Sequence, residues 1–254
     1  MRPKLFSSGG ISNNFKDRDK DVSISIDTVE RNEGSDVKIF VQIEPQSIRK
    51  SAPLIIRDQD KFDLILAWDE EILNSCKNSK RFIYGDLWVD MDTLVFNKKD
   101  KVSFLMSNKS WTQGHKLRHE AHSIVDRITV CDGFIVDRHM SPPRLPSKNI
   151  IFEEYKYSVI IENEKKKNWI TEKLIDCLAT KTIPIYWGAQ NVGEFFNTDG
   201  IIQFDTVEDL KDILTSGLSS EKYKSLESVM DYNSKEALKY SNFFDRVDTA
   251  IDSL

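Results

Sequence analysis

The feature that most constrains this chain is the alternation of short apolar runs with segments of helical pattern. The clearest runs cover residues 37–43, 62–68, 102–106, 157–161 and 183–187, with weaker ones at 21–28, 81–84, 128–131 and 200–204. Strands that are apolar on both faces are typical of parallel sheets covered by helices on both sides. The predicted fold class is therefore α/β. At 254 residues the chain is long enough for two such units.

A polar break at residues 98–101 divides this pattern into two series of strands and helices. We predict an N-terminal Rossmann-like domain over residues 1–98, a second one over 99–235, and a helical tail over 236–254. Two such domains facing each other would hold a ligand in the cleft at the carboxyl ends of their strands.

Net charge, apolar runs and cysteine content indicate which binding partners and which cellular compartment the chain fits. Lys and Arg number 36 against 41 for Asp and Glu, and the resulting net charge of −5 is a poor match to nucleic acid. No run of 18 apolar residues predicts a transmembrane segment, and no apolar stretch after Met1 predicts a signal peptide. Three widely spaced cysteines are typical of a reduced compartment. We expect a cytoplasmic protein.

A candidate anion site follows the strand at 157–161. The strand ends at Asn163, whose amide can bind a sugar or a phosphate, and a helix opens near Thr171 with Lys173 in its first turn. The backbone N–H groups of a helix N-terminus attract anions, whereas a lysine there opposes the helix dipole. A bound diphosphate would explain the lysine. The alternative is that Thr171 is only an N-cap and Lys173 a solvated charge.

Three segments within residues 155–191 carry a resemblance to a known family: Glu162-Asn163, then residues 169–176 (WITEKLID), then residues 182–189 (TIPIYWGA). They resemble the donor-binding motif of the α-1,3-fucosyltransferases, glycosyltransferase family 10. A looser likeness extends to residues 102–108, and a weaker one to 61–69 and 84–88.

The resemblance implies a GT-B fold, in which two Rossmann-like domains face each other across a cleft. It implies inverting transfer of a sugar, most simply fucose from GDP-fucose, onto a hydroxyl of an oligosaccharide or polysaccharide acceptor, with no cofactor or metal required.

The resemblance also assigns residues to the donor. Asn163, Trp169, Glu172 and Lys173 would hold the nucleotide sugar, with Lys173 on the diphosphate and Glu172 on ribose or sugar hydroxyls. Trp169 stands where the family often has tyrosine, so it retains an aromatic ring but lacks the hydroxyl.

The family places a phosphate-binding arginine after the strand that matches residues 102–108. When this sequence is aligned to the family motif without a gap, the position of that arginine is occupied by Gly114 or His115. The first arginine after the strand is Arg118. On a helix Arg118 lies one turn from His115 and reaches the same region. We expect Arg118 to take the role, with His115 as the alternative.

Glu44 is the candidate general base for the acceptor hydroxyl. It follows the strand at 37–43 and precedes Pro45, and the family takes its base from a glutamate after the corresponding strand. The local sequence here, Ile-Glu-Pro, differs from the family's Gly-Glu-Asn. The alternatives are that Glu44 only ends the strand, or that Glu70 or Glu71 is the base, although these two fit a solvated helix start better.

Two patterns suggest metals but lack the surroundings that metal sites need. Asp90-Met91-Asp92 has the form D-x-D without any further pattern of a metal-dependent glycosyltransferase, and His119-Glu120-Ala121-His122 is one residue short of H-E-x-x-H. We interpret the histidines as a solvated helix face and expect no metal.

Two other functions remain open from the sequence. The same motif could bind a different nucleotide sugar, or the chain could be a nucleotide-sugar or glycan-binding protein that has lost catalysis. The shifted arginine and the altered surroundings of Glu44 are the reasons to keep the second one.

Overall fold

The computed structural model describes residues 1–7, 13–29, 34–136, 145 and 147–254. By their contacts these residues form two compact units. Unit 1 comprises Met1–Tyr84, Lys167–Trp169 and Asn242–Leu254, and unit 2 comprises Gly85–Lys166 and Ile170–Ser241. Each unit contains a five-stranded, fully parallel sheet.

The sheet of unit 1 follows chain order from edge to edge. Its strands are β1 (Lys4–Ser7), β2 (Val22–Ile26), β3 (Val37–Val41), β4 (Leu64–Ala67) and β5 (Ser79–Arg81). Its helices are α1 (Ala52–Arg57), α2 (Glu70–Ser75) and α8 (Phe243–Asp252).

Both faces of this sheet are covered, which explains why its strands β3 and β4 are largely apolar. Phe40 of β3 packs in one cluster with residues of α1 and α2, whereas its neighbours Ile39 and Val41 pack in another with residues of α8. Side chains of a strand alternate between the two faces, so both sets must be apolar. β2 is completely buried although its sequence signal is weak, because Ser23 and Ser25 alternate with its isoleucines.

Unit 2 has a different strand order. Its strands are β6 (Lys99–Ser107), β7 (Cys131–Val136), β8 (Tyr155–Ile161), β9 (Ile183–Trp187) and β10 (Ile202–Gln203), in the spatial order β10-β9-β8-β6-β7. Its helices are α3 (Gln113–Val125), α4 (Glu172–Ala179), α5 (Val207–Ser216), α6 (Ser220–Ser225) and α7 (Glu227–Leu238). The chain leaves β6 toward β7 on one side and returns to β8 on the other, so the order reverses between β6 and β8.

Most predicted strands and helices are found within a few residues of their predicted bounds, and the exceptions lie at sheet edges. The strand predicted at 128–131 is wrong: β7 begins at Cys131 and runs to Val136. Its sequence contains Asp132 and Gly133, and Ile135 is 56% exposed, because an edge strand is covered less than a central one. The short edge strand β1 was not predicted.

The contact units differ from the domains predicted to end at residues 98 and 235, because Lys167–Trp169 belong to unit 1, residues 236–241 belong to unit 2, and both ends of the second predicted domain shift. Residues 85–98 belong to unit 2, where the backbone N–H groups of Trp88 and Val89 donate to Asp176 of α4. Residues 242–254 belong to unit 1, where Arg18 forms an ion pair with Asp248 of α8. The polar residues 99–101, which the sequence suggested as a break between the two series, form the start of β6.

Helix length also bears on membranes. The longest helix in the described ranges is α3, with 13 residues. Among the helices of those ranges, none combines the length and apolarity needed to cross a bilayer.

Candidate functional site

An open cavity of about 910 Å³ lies in unit 2 at the reversal of strand order. The carboxyl ends of β6 and β8 form part of its wall, and four charged residues contribute: Arg118, Lys148, Glu172 and Lys173. Open parallel sheets bind ligands outside the carboxyl ends of their strands at such a reversal, because the loops diverge there. The strand order and the charged residues therefore indicate the same cavity as the candidate ligand site.

Glu162 connects the end of β8 to the start of α4. Its side chain is fully buried, and its carboxylate accepts hydrogen bonds from the backbone N–H of Thr171 at 3.0 Å and from the Thr171 hydroxyl at 2.8 Å. Burial raises the pKa of Glu162, and Lys173 acts against that rise. The Thr171 hydroxyl in turn accepts from the N–H of Lys173 and caps α4. The first turn of α4 is thereby fixed to the sheet.

Lys173 places a positive charge in the cavity wall. Its Nζ lies 3.1 Å from Glu172 Oε1 and 3.6 Å from Glu162 Oε2. Burial works to lower the pKa of Lys173, but the two carboxylates outweigh it and the pKa is raised. Burial likewise opposes ionisation of Glu172, but Lys173 and Lys148 outweigh it and the pKa of Glu172 is lowered. Both side chains are therefore charged near neutral pH.

Arg118 adds a second cation from α3. Its Nε donates to the carbonyl oxygen of Ile161 at 3.0 Å, and its guanidinium donates to Asn163 Oδ1 at 3.1 Å. Gly114 permits this close approach of α3 to β8, because a Cβ there would lie 1.7 Å from the carbonyl oxygen of Glu162. Position 114, one of the two that align with the family arginine, therefore cannot carry a side chain in this fold, and Arg118 enters the cavity wall from the next turn of the helix.

His115, the alternative to Arg118, is engaged within its own helix. Its Nδ1 accepts a hydrogen bond from the backbone N–H of Thr112 at 3.2 Å, in the capping box that starts α3. Burial lowers the pKa of His115 to about 4, and the charges of Arg118, Lys109 and Lys173 act in the same direction. The imidazole is therefore neutral near pH 7 and supplies no positive charge for a phosphate.

Lys148 and Asp176 are site residues that sequence reasoning missed. Asp176, on α4, is fully buried, accepts from the N–H of Trp88 at 2.7 Å, and has Lys148 Nζ at 2.5 Å from its other oxygen. The Lys148 ammonium lies 4.9 Å from the centre of the Trp88 ring, and Trp88 is 56% exposed. An aspartate within the apolar residues 174–179 is a signal that could have identified Asp176. Lys148 has no such signal.

Two predicted site residues belong by their contacts to unit 1. Trp169 is 2% exposed, its ring centre lies 4.7 Å from that of Trp68, and its indole N–H has no hydrogen-bond partner among the described residues. Glu44 is half-buried and follows β3, as expected from the sequence. The runner-up bases Glu70 and Glu71 are exposed in the first turn of α2.

The structure thus brings five of the seven predicted site residues together in unit 2, at the carboxyl end of β8 and the facing helix termini: Arg118, His115, Asn163, Glu172 and Lys173. Three of them line the cavity.

The two metal-like patterns behave as ordinary local structure. Asp90 Oδ1 accepts a hydrogen bond from the N–H of Asp92, and His119 Nε2 lies 2.9 Å from the carbonyl oxygen of Lys109. In the part of the chain that the structure describes, no group of three or more His, Cys, Asp or Glu side chains is arranged to hold a metal ion.

Comparisons with known proteins bear on the family and on the fold of the chain. The sequence profile of the C-terminal region of glycosyltransferase family 10 (fucosyltransferase) matches residues 95–245. A Helicobacter pylori protein, alpha-(1,3)-fucosyltransferase FucT, is 29% identical over 105 residues, which make up 41% of this chain and 21% of that protein. The match thus spans about a fifth of the length of this curated relative.

Two solved structures have a similar fold. A crystal structure of an α1,3-fucosyltransferase with GDP-fucose superposes with a TM-score of 0.53 and 17% identity over 86% of this chain and 76% of that one. One with GDP has a TM-score of 0.52 and 16% identity over 90% and 77%. Together with the two parallel sheets, these folds confirm the predicted α/β, GT-B-like class with two Rossmann-like units.

The family resemblance read from the donor-binding motif is confirmed as well. The profile match contains the four charged residues of the cavity wall, Arg118, Lys148, Glu172 and Lys173. Since it covers well over half of the 254 residues, the chain belongs to glycosyltransferase family 10, the fucosyltransferases.

Proposed function

We propose that this protein is a glycosyltransferase that takes its sugar from a nucleoside-diphosphate sugar, most simply fucose from GDP-fucose. The observation that carries this proposal is the pair of cations, Arg118 and Lys173, in the wall of the cavity where the strand order of unit 2 reverses. Membership of family 10 supports the class of reaction. The structures of similar fold that were solved with GDP-fucose and GDP support the class of donor.

The two cations suit a departing diphosphate. Arg118 is held by Ile161 and Asn163, and Lys173 by the adjacent carboxylates, so neither needs to reorganise when charge develops on the leaving oxygen. Charged donors fixed in a partly dehydrated site stabilise such a transition state more than solvent does. Of the two phosphate-binding candidates we therefore propose Arg118 rather than His115.

The other donor residues are proposed to bind hydroxyl groups and rings. The Glu172 carboxylate, ionised beside Lys173, is a strong acceptor for a ribose or sugar hydroxyl. Asn163, which follows β8 and accepts a hydrogen bond from Arg118, is proposed to bind a sugar or phosphate oxygen. Trp169 is proposed on the family motif, and its buried indole N–H, which lacks a partner in the described part of unit 1, is a donor that a ligand atom could satisfy.

The reaction we propose is an inverting transfer. A hydroxyl oxygen of an oligosaccharide or polysaccharide acceptor forms a bond to the anomeric carbon while the bond from that carbon to the diphosphate breaks. Glu44 accepts the hydroxyl proton as general base. Arg118 and Lys173 meet the negative charge of the released nucleoside diphosphate.

Calorimetric titration tests the donor site. GDP, GDP-fucose, GDP-mannose and UDP-glucose are titrated into wild type and into Lys173→Ala. We expect the GDP-linked ligands to bind, UDP-glucose not to bind, and the variant to lose about 1.5–3 kcal/mol of binding free energy. Lys181→Ala is the matched control, because Lys181 is an exposed lysine that pairs with Asp231. Equal binding of GDP by wild type and Lys173→Ala would show that the diphosphate site has been misassigned.

A turnover assay separates a transferase from a protein that only binds. Release of GDP from GDP-fucose is measured with a panel of oligosaccharide acceptors. We expect wild type to turn over and Glu44→Ala to lose turnover while GDP affinity is retained. A wild type that binds GDP-fucose but transfers to no acceptor would favour the binding protein. Selective binding of another nucleotide sugar would replace fucose in the proposal.

A further inference from the structure

Asp27, at the carboxyl end of β2, makes an unusual contact with the end of the neighbouring strand. Its backbone is left-handed, with φ of 51°, and the residue is only 9% exposed. Its Oδ1 accepts from the backbone N–H of Ile43 at 2.8 Å, and its Oδ2 accepts from that of Glu44 at 2.9 Å. One carboxylate therefore holds two successive amides just beyond β3.

The same short segment is fixed from other directions. The carbonyl oxygen of Ile43 accepts from the indole N–H of Trp68 at 3.2 Å. Pro45 follows, and a residue before proline is restricted to extended conformations. The backbone of Glu44 is therefore set on one side by Asp27 and on the other by Pro45.

We infer that Asp27 is a positioning residue for Glu44: it fixes the main chain from which the proposed general base projects. The inference rests on the proposed role of Glu44. Asp27 need not touch the acceptor, since its two carboxylate oxygens are engaged by the amides. A displaced base loses rate steeply, because proton transfer depends on near-contact geometry.

The strength of this contact depends on pH. Burial raises the pKa of Asp27 to about 7, the amides of Ile43 and Glu44 lower it, and the charged groups that face it act in opposite directions, Glu44 raising it and Arg49 lowering it. Above that pH the carboxylate is ionised and accepts both hydrogen bonds with full charge. Below it, the group is protonated and the hold on Glu44 weakens.

The contact itself is tested by NMR, independently of catalysis. We expect the amide resonance of Ile43 to titrate with a midpoint near pH 7 in wild type and to lose that titration in Asp27→Asn. Asp63→Asn is the matched control, because Asp63 also accepts a backbone amide, that of Lys38 at 2.7 Å, but at the opposite end of β3. An Ile43 amide resonance that Asp27→Asn leaves unchanged at every pH overturns the inference.

The positioning role is tested by GDP release from GDP-fucose. Asp27→Asn is expected to lower kcat about tenfold or more and to remove a rise in kcat through pH 7, while GDP affinity and the KM for GDP-fucose stay unchanged. Asp27→Ala, which removes both oxygen acceptors, is expected to lower kcat at least as far as Asp27→Asn, which keeps one. The positioning role is overturned if Asp27→Asn has the wild-type kcat. It is also overturned if the variant loses GDP affinity by the same factor as kcat.

The variant Glu44→Gln distinguishes a failure of the proposed general base from a failure of the positioning role of Asp27. If Glu44→Gln retains turnover, the proposed base is wrong, and the positioning role falls with it even when the Ile43 titration is present. If Glu44→Gln is inactive and Asp27→Asn is as active as wild type, the proposed function stands and only the role of Asp27 is overturned.

Discussion

The Arg118 guanidinium donates a 3.1 Å hydrogen bond to Asn163 Oδ1, which joins a residue of α3 to the end of β8. The same side chain donates to the carbonyl oxygen of Ile161, so the cation is held by the strand end and not only by its own helix. A charge held in this way is preorganised for an anion. These two hydrogen bonds fix the position of the guanidinium in the proposed phosphate site.

Substitution of Arg118 and substitution of His115, the two phosphate-binding candidates, are expected to affect GDP binding unequally. Arg118→Ala should weaken GDP binding by about 2 kcal/mol, because it removes a buried cation that lines the cavity. His115→Gln should change GDP binding by less than about 0.5 kcal/mol. The neutral imidazole accepts a hydrogen bond from the backbone N–H of Thr112, and a glutamine oxygen can accept from the same N–H. Calorimetry on both variants measures the difference. Stronger loss in His115→Gln would reverse the assignment.

Gly114→Ala is expected to destabilise unit 2. A Cβ at this position would lie 1.7 Å from the carbonyl oxygen of Glu162, and backbone must move to relieve the overlap. We expect a loss of about 3 kcal/mol in the free energy of unfolding, measured by urea denaturation. Gly133→Ala is the control, because a Cβ there meets no atom of the described residues within 4 Å. Equal stability of the two variants would contradict the close approach of α3 to β8.

Asp176→Asn is expected to be strongly destabilising. The variant removes the charge that pairs with Lys148 and leaves a lysine beside an uncharged amide in the cavity wall. Breaking a buried ion pair on one side costs about 3 kcal/mol. Asp231→Asn, which removes an exposed partner of Lys181, should change stability by less than about 0.5 kcal/mol. Matching denaturation midpoints for the two variants would show that the buried pair contributes little.

Lys98 should make stability rise with pH above neutrality. Burial lowers the pKa of Lys98 to about 7, so the folded state holds fewer protons than the unfolded chain from about pH 7 to the ordinary value of lysine near 10.4. The unfolding free energy therefore rises by at most about 1.4 kcal/mol per pH unit from this group between about pH 7 and about pH 10.4, and the contribution is lost again as pH falls back from 10.4 toward 7.

Lys98→Met should remove that contribution, measured as the slope of unfolding free energy between about pH 7 and pH 8.5. Lys99→Met is the adjacent control, because Lys99 is exposed and paired with Glu154. The interpretation fails if Lys98→Met keeps the wild-type slope or if Lys99→Met changes it equally.

Local sequence was sufficient where one segment decides the outcome. The apolar runs at residues 157–161 and 183–187 predicted β8 and β9, since strands that are covered on both faces must be apolar throughout. The Thr171 cap and the lysine two residues later predicted the start of α4 and its unusual charge. The position of Glu44 after β3 followed in the same way. The family motif added which of these residues are proposed to bind a donor.

Tertiary structure decided which side chains act together. Arg118 and Asn163 are 45 positions apart, and only the placement of β6 beside β8, with Gly114 allowing α3 to approach, brings them within hydrogen-bond distance. The same holds for Asp27 and Glu44, which meet because β2 and β3 are parallel neighbours in register. The sequence alone determined the strands, the helix starts and the charges they carry, because these depend on local pattern. Strand order and register determined the cation pair, the neutral state of His115 and the hold on Glu44, because these depend on contacts between residues that are distant along the chain.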